Sequence, residues 1–335
     1  MAQFLILKGM AEVSRASSQG VRISLLKLRL SIIGVWALIT GLATLIITAI
    51  LLYLGFPIIG IYGILGFVIA LHFFQWLIGP YIINAIYRVR ELKPGEYPWL
   101  REAVERISAR SGLKPPKIMI AELDIPNAFA YGSPLTGNMV AVTRGLLRSL
   151  EPEEVEAVIG HELGHLKHRD MVVMMMISLI PALIYYIGYT LYVSGWLNGG
   201  RSREGGGGFA ILVGILLIAL SFIFNLFVYY MSRLREYYAD SHAALNVENG
   251  AKRLQRGLVK IMAVSGRIPR SIRSRHDQLK MFFISDPDVT IKAYGDIDTL
   301  IEEIKREKPS LILELFSTHP HPAKRLRFLD RFITT

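Results

Sequence analysis

The chain has no cysteine. That excludes disulfides and thiolate ligands, so any metal must be held by His, Asp or Glu. Charge is also scarce. Charged residues make up 19% of the chain against 52% apolar ones, and the mean hydropathy is +0.39. So little charge excludes an ordinary soluble enzyme, yet it is too much for a bare bundle of membrane spans. A membrane protein with a substantial folded polar part remains, and 335 residues leave room for both. No internal repeat and no RNA-binding motif is visible. The net charge of +11 is then read as positive-inside bias and attraction to anionic lipid rather than to nucleic acid.

Four windows are long enough to cross about 30 Å of hydrocarbon. They are Leu30 to Leu54, Phe56 to Gly79, Met171 to Asn198 and Phe209 to Met231, all without formal charge. Pro181 in the third predicts a kink. Lys8, Arg15, Arg22, Lys27 and Arg29 precede the first window and argue for a cytoplasmic N-terminus. The first window is too long for a cleaved signal peptide and is followed at once by a second. The connections that would lie outside are tiny, although one holds Arg201 and Arg203, a small count against the rule. The expectation is four spans with both termini in the cytoplasm. The stretch VRISLLKLRL before the first span mixes cations and apolar residues, as a membrane-surface segment does.

The polar segments carry folding signals. Leu100, Val104 and Ile107 have helical spacing between Pro98 and Gly112, and glycine is a common stop. KIMIA (117–121) reads as a strand. NAFAYG (127–132) and NMVAVT (138–143) flank SPLTG and read as a hairpin. Pro152 opens a further helix. The tail predicts helices from Asn249 to about Val264, near 297–307 and near 322–332.

Chemistry concentrates at HELGHLKHRD (161–170), which runs directly into the third window. His161 and His165 are four apart on a helical pattern, so both imidazoles leave one face and can share a metal ion. Glu162 is rotated by about 100° and can reach a reacting water without ligating. His168 lies close to the same face, but three ligands over two straight turns are too spread to close on one ion. It is read as a solvated side chain. A catalytic metal needs a third protein ligand and an open position. In SRLREYYAD (232–240), just after the fourth window, Glu236 and Asp240 again share a face. If the third window continues backward into HELGH and the fourth forward into REYYAD, His161, His165 and Glu236 meet just above the lipid. The competing reading of Glu236 is a surface carboxylate paired with Arg233 or Arg235.

HELGH before a span, and a span before REYYAD, resemble the HtpX-type membrane zinc metalloproteases, a family that includes the CAAX prenyl proteases. NAFAYG, VTRGLL (142–147), EPEEVEAVIGHELGH and STHPHPAKR (317–325) extend the resemblance over nearly the whole chain and in the family's order. It implies an α+β, mainly helical fold: four transmembrane helices with a cytoplasmic zincin-like protease domain containing a small β-sheet. The implied map is a cytoplasmic N-terminal segment (1–29), a first transmembrane hairpin (30–79) and a first protease part with edge strand and HExxH helix (80–170). A second transmembrane hairpin (171–231) and a second protease part with the third zinc ligand (232–335) follow. The implied roles are zinc ligation by His161, His165 and Glu236, one ion per subunit, with Glu162 as general base. Asp240 would orient a ligating histidine. His319 and Arg325 would bind substrate or the developing oxyanion, with His321 in HPHP a competitor for His319. Asn127, Ala128, Phe129, Ala130 and Tyr131 would form an edge strand that pairs with substrate backbone.

The activity so implied is cleavage of misfolded or damaged membrane proteins from the cytoplasmic side of the cell membrane. The partners are protein substrates and the bilayer, with no nucleic acid; a homo-oligomer is compatible with the chain. Two alternatives stay open. One is a specific processing protease of the same family, whose close relatives have more spans enclosing a chamber. The other is a non-proteolytic membrane scaffold with a structural metal, for which His72, Gln75 and Asn225 are the polar residues within spans.

Overall fold

The structure, a computed structural model, describes residues 59–198, 206–267 and 297–333. The window Leu30 to Leu54, the segment 1–29 and the basic stretch 268–278 lie outside the described residues. The chain divides into two compact units, Met1–Ile64 and Leu65–Thr335, and the sheet and the helices around it belong to the second.

Three helices among the described residues are long and apolar enough to cross a membrane. Helix α1 (Ile59–Tyr87) runs past Gly79, where the apolar window ends, with Pro80 inside it. Helices α5 (Asp170–Asn198) and α6 (Gly206–Asn246) pair closely. Glycines permit this: a Cβ on Gly214 would sit 2.6 Å from the Gly188 carbonyl oxygen. Backbone-to-backbone approach of this kind holds helices together where lipid removes the hydrophobic drive between them.

The polar part is a four-stranded mixed sheet packed against helices. Its strands are β1 (Val89–Glu91), β2 (Lys117–Ala121), β3 (Ala128–Ser133) and β4 (Gly137–Thr143), in the order β1-β2-β4-β3. Strands β2 and β4 are parallel and the outer pairs antiparallel. The KIMIA strand and the hairpin around SPLTG fall where the sequence puts them, and β3 lies at the sheet edge. Helix α2 (Pro98–Ser111) buries Leu100, Val104 and Ile107 and stops on Gly112 at φ 60°, a left-handed cap that glycine takes at little cost. Short α3 (Arg144–Ser149) leads to α4 (Pro152–Lys167), opened by Pro152 and a reciprocal Glu151–Glu154 capping box.

Helix α4 is sheathed on nearly every side. Ala157, Val158, Ile159, His161 and Leu163 are all fully buried, inside a core shared with α2, the sheet, α6 and α7 (Gly250–Arg267). The tail supplies α8 (Ile297–Arg306), α9 (Leu311–Leu315) and α10 (Pro322–Leu329). Strand β1 and helix α9 are too short to leave a periodic signal in the sequence.

One expectation fails. The third apolar window does not run backward into HELGH: α4 ends at Lys167, His168 caps it, and Arg169 takes φ 53° before α5 begins. A straight helix would carry Asp170 about 140° round from His165. The left-handed residue instead folds Asp170 back onto it. The fourth window does continue, and α6 runs unbroken for 41 residues through Glu236 and Asp240.

Candidate active site

The site forms where α4 crosses α6. Gly160 and Gly164 make the crossing tight: a Cβ on Gly164 would lie 2.9 Å from Ala239 Cα and 3.0 Å from His242 Cβ. Neither neighbour is the free end of a flexible side chain. Gly164→Ala is therefore expected to push α6 outward, at about 1–3 kcal/mol of overpacking. A lowered melting temperature together with weaker zinc binding, read by competition with a chromophoric chelator, is the expected outcome. Wild-type values for both would contradict this account of the crossing.

Across that contact His161, His165 and Glu236 converge. The two Nε2 atoms are 3.2 Å apart. Glu236 Oε2 is 3.7 Å from His161 Nε2, and its Oε1 is 3.7 Å from His165 Nε2. A tetrahedral ion with bonds of about 2.0 Å needs ligand separations of about 3.3 Å, close to these values. The alternative for Glu236 does not hold. Arg235 pairs with Asp170, and Arg233 donates to the carbonyls of Glu314 and Ser317.

The far side of each imidazole fixes its tautomer. His161 Nδ1 is 2.9 Å from Asp240 Oδ1, and His165 Nδ1 is 2.6 Å from Asp170 Oδ2. Both Nδ1 atoms thus carry the proton and donate to carboxylates, so both Nε2 lone pairs face inward. Two such nitrogens 3.2 Å apart need a proton or a metal cation between them. Glu236 Oε2 is buried and makes no aligned hydrogen bond among the described residues, its nearest cation being Arg325. This donor set fits a metal ion. Burial lowers the pKa of His161. Burial acts the same way on His165, but the Asp170 bond and the charges of Glu236 and Glu162 outweigh it and raise that pKa.

Each orienting carboxylate is itself gripped by an arginine. Arg235 Nη2 lies 2.6 Å from Asp170 Oδ2. Arg325 binds Asp240 with two nitrogens, Nε at 2.9 Å and Nη2 at 2.6 Å, and its Nη1 is 3.1 Å from Glu236 Oε2. Arg325 is 2% exposed. Buried carboxylates hold its guanidinium inward, against Asp240 and Glu236.

Glu162 points at the edge strand, and its Oε2 accepts the Ala130 N–H at 2.8 Å. Burial pushes its carboxyl up to about 7, with Glu236 adding to the rise and His165 and the Ala130 N–H opposing it. The Asn127 backbone carbonyl accepts the Thr143 N–H, and the Asn127 N–H donates to Thr143 Oγ1. By alternation, Phe129 and Tyr131 also bond to β4, and the backbone groups of Ala128, Ala130 and Gly132 point away from it, where Glu162 accepts the Ala130 N–H and Trp76 Nε1 donates to the Gly132 carbonyl. The side chains of Phe129 and Tyr131 pack inward with Tyr87 and Ile83. Asn127 precedes β3 rather than belonging to it.

His319 lies against the ligand set, with Nδ1 3.2 Å from Glu236 Oε1, within ion-pair range but off hydrogen-bond alignment. His321 is elsewhere: its Nδ1 accepts the Ala323 N–H and caps α10. His168 is exposed at the end of α4, as its solvated reading has it. Asp170, Arg235 and the Ala130 N–H were not found in the sequence. Asp170 stands in plain view five residues after His165, but only the Arg169 turn brings it into place.

A nearly buried HExxH helix, a carboxylate from a membrane-length helix and an edge strand against the HExxH glutamate together define a metallopeptidase arrangement. The profile of Peptidase family M48 matches residues 94–333, and the chain belongs to that family. A protease HtpX homologue of Thermoplasma acidophilum is 45% identical over 296 residues, covering 85% of this chain and 91% of its own length. One from Aeropyrum pernix is 44% identical over 308 residues, covering 90% and 95%. Among solved structures, Ste24p of S. mikatae has a similar fold with a TM-score of 0.55 at 20% identity, over 88% of this chain. The chain spans 63% of the length of that structure.

Proposed function

We propose that the protein is a zinc-dependent integral membrane endopeptidase that degrades misfolded or damaged membrane proteins from the cytoplasmic side. The observation that carries this reading is the pair of inward-facing Nε2 atoms with Glu236 across them. In this reading His161, His165 and Glu236 hold zinc, one ion per chain. Bound zinc supplies Lewis acidity, which acidifies water and polarises a peptide carbonyl.

The chain's own residues do the rest. An extended substrate pairs with the outward backbone of β3, so affinity comes largely from main-chain bonds. Glu162, beside that strand, takes a proton from the attacking water and returns it to the leaving amine. Burial favours the protonated form of its carboxyl, so it can hold that proton between the two transfers. His319 donates to the oxyanion as it develops. Asp240 and Asp170 keep the ligating imidazoles in one tautomer.

The membrane map keeps four spans, with both termini and both protease parts (80–170 and 232–335) in the cytoplasm of a cell-membrane protein. A site at the ends of spans meets cytoplasmic loops of other membrane proteins as they unfold, so position supplies part of the selectivity. In detergent, the purified full chain is expected to cleave casein, to lose cleavage on chelation and to regain it with added zinc. Zinc bound without cleavage under any of these conditions would favour the scaffold reading and overturn this one.

A further inference from the structure

Helix α9 inverts the usual pattern. Its apolar side chains are out: Leu311 is 79% exposed, Ile312 72% and Leu313 73%. Its polar groups have partners within the protein. Ser310 Oγ accepts the Leu313 N–H, Arg233 donates to the carbonyls of Glu314 and Ser317, and Lys324 pairs with the Glu314 carboxylate. Water would not require internal partners for those carbonyls, whereas hydrocarbon would.

Two contacts set the level of α9 along α6. Phe316, which follows it, lies with its ring 6.2 Å from that of Phe222. Phe222 is nine residues before the end of the uncharged stretch at Met231, about 14 Å along the helix. Arg233, which binds the other side of the α9 turn, is the first charge beyond that stretch. The short helix is thus bracketed against the last apolar turns of α6. The patch continues onto α6 through Phe222, itself 54% exposed.

We infer that Leu311–Phe316 is a membrane-inserted anchor whose side chains enter the hydrocarbon edge of the bilayer. It ties the following segment, which carries His319, to the plane of the membrane. The inference rests on the membrane reading of α5 and α6.

The chain's lack of cysteine allows a clean test. Single cysteines replace Ile312, Leu311, Leu216 or Leu245, and each carries a nitroxide in the full chain reconstituted in phosphatidylcholine vesicles. Leu216 (59% exposed) reports the span, and Leu245 (73% exposed) reports the far end of α6. Relaxation by oxygen and by a water-soluble nickel chelate is compared. Labels at Ile312 and Leu311 are expected to match Leu216, relaxed several-fold more by oxygen than by nickel, with the reverse at Leu245. Nickel-dominated relaxation at Ile312 and Leu311 would overturn the anchor, as would exclusion of both reagents, which means protein covers the patch. Either result with a lipid-exposed Leu216 leaves the membrane reading intact. A Leu216 label dominated by nickel would overturn both.

Discussion

Glu162→Gln is expected to lower kcat for peptide cleavage by about 10²–10⁴-fold, the range for loss of a positioned general base, while zinc content stays at the wild-type level. Three features separate chemistry from structure here. Glu162 is not among the atoms that converge on the ion position, since its Oε2 is committed to the Ala130 N–H. The glutamine carbonyl can accept that same N–H, so the contact between α4 and β3 survives. What disappears is the carboxylate that takes up and returns the proton. Matched zinc analysis and casein turnover on both proteins read the result. Turnover within a few-fold of wild type would remove Glu162 from the chemistry.

Asp240→Asn is expected to have the second largest effect, and on different observables. Asp240 is fully buried, fixes His161 through Nδ1 and holds Arg325 through two nitrogens. Removing its charge leaves the Arg325 guanidinium inside the protein with a weaker partner. Breaking a buried ion pair typically costs about 3–5 kcal/mol. Loss of the carboxylate behind a ligating histidine typically weakens metal binding by about 10–100-fold. Both a lower melting temperature and a weaker zinc affinity are expected, in contrast to Glu162→Gln, which changes neither. Wild-type zinc affinity in Asp240→Asn would show that His161 does not depend on this carboxylate.

The reach of the sequence follows physical range. His161, Glu162 and His165 are set by a period of four on one helix, and Glu236 with Asp240 by the same period on another. The β3–β4 hairpin announces itself through a short turn-rich segment between two alternating runs. These patterns are local, and the structure keeps them. What the sequence did not disclose depends on contacts between distant segments or on one backbone angle. Asp170 reaches His165 because Arg169 turns left-handed. Arg325 belongs with Asp240 because α10 folds back across α6, 85 residues later in the chain. His319 and His321 are set apart by a helix cap at His321 that a run of HPHP does not reveal. Helix α9, five residues long, has no periodicity to read.

The most direct test of the account is zinc content of the purified full chain after equilibration with the metal, measured on wild type, His161→Ala, His165→Ala, Glu236→Ala and His168→Ala. The account expects stoichiometric zinc in wild type and in His168→Ala, and little in the other three. Full zinc retained by His161→Ala, His165→Ala or Glu236→Ala would contradict the proposal that these three side chains hold the ion.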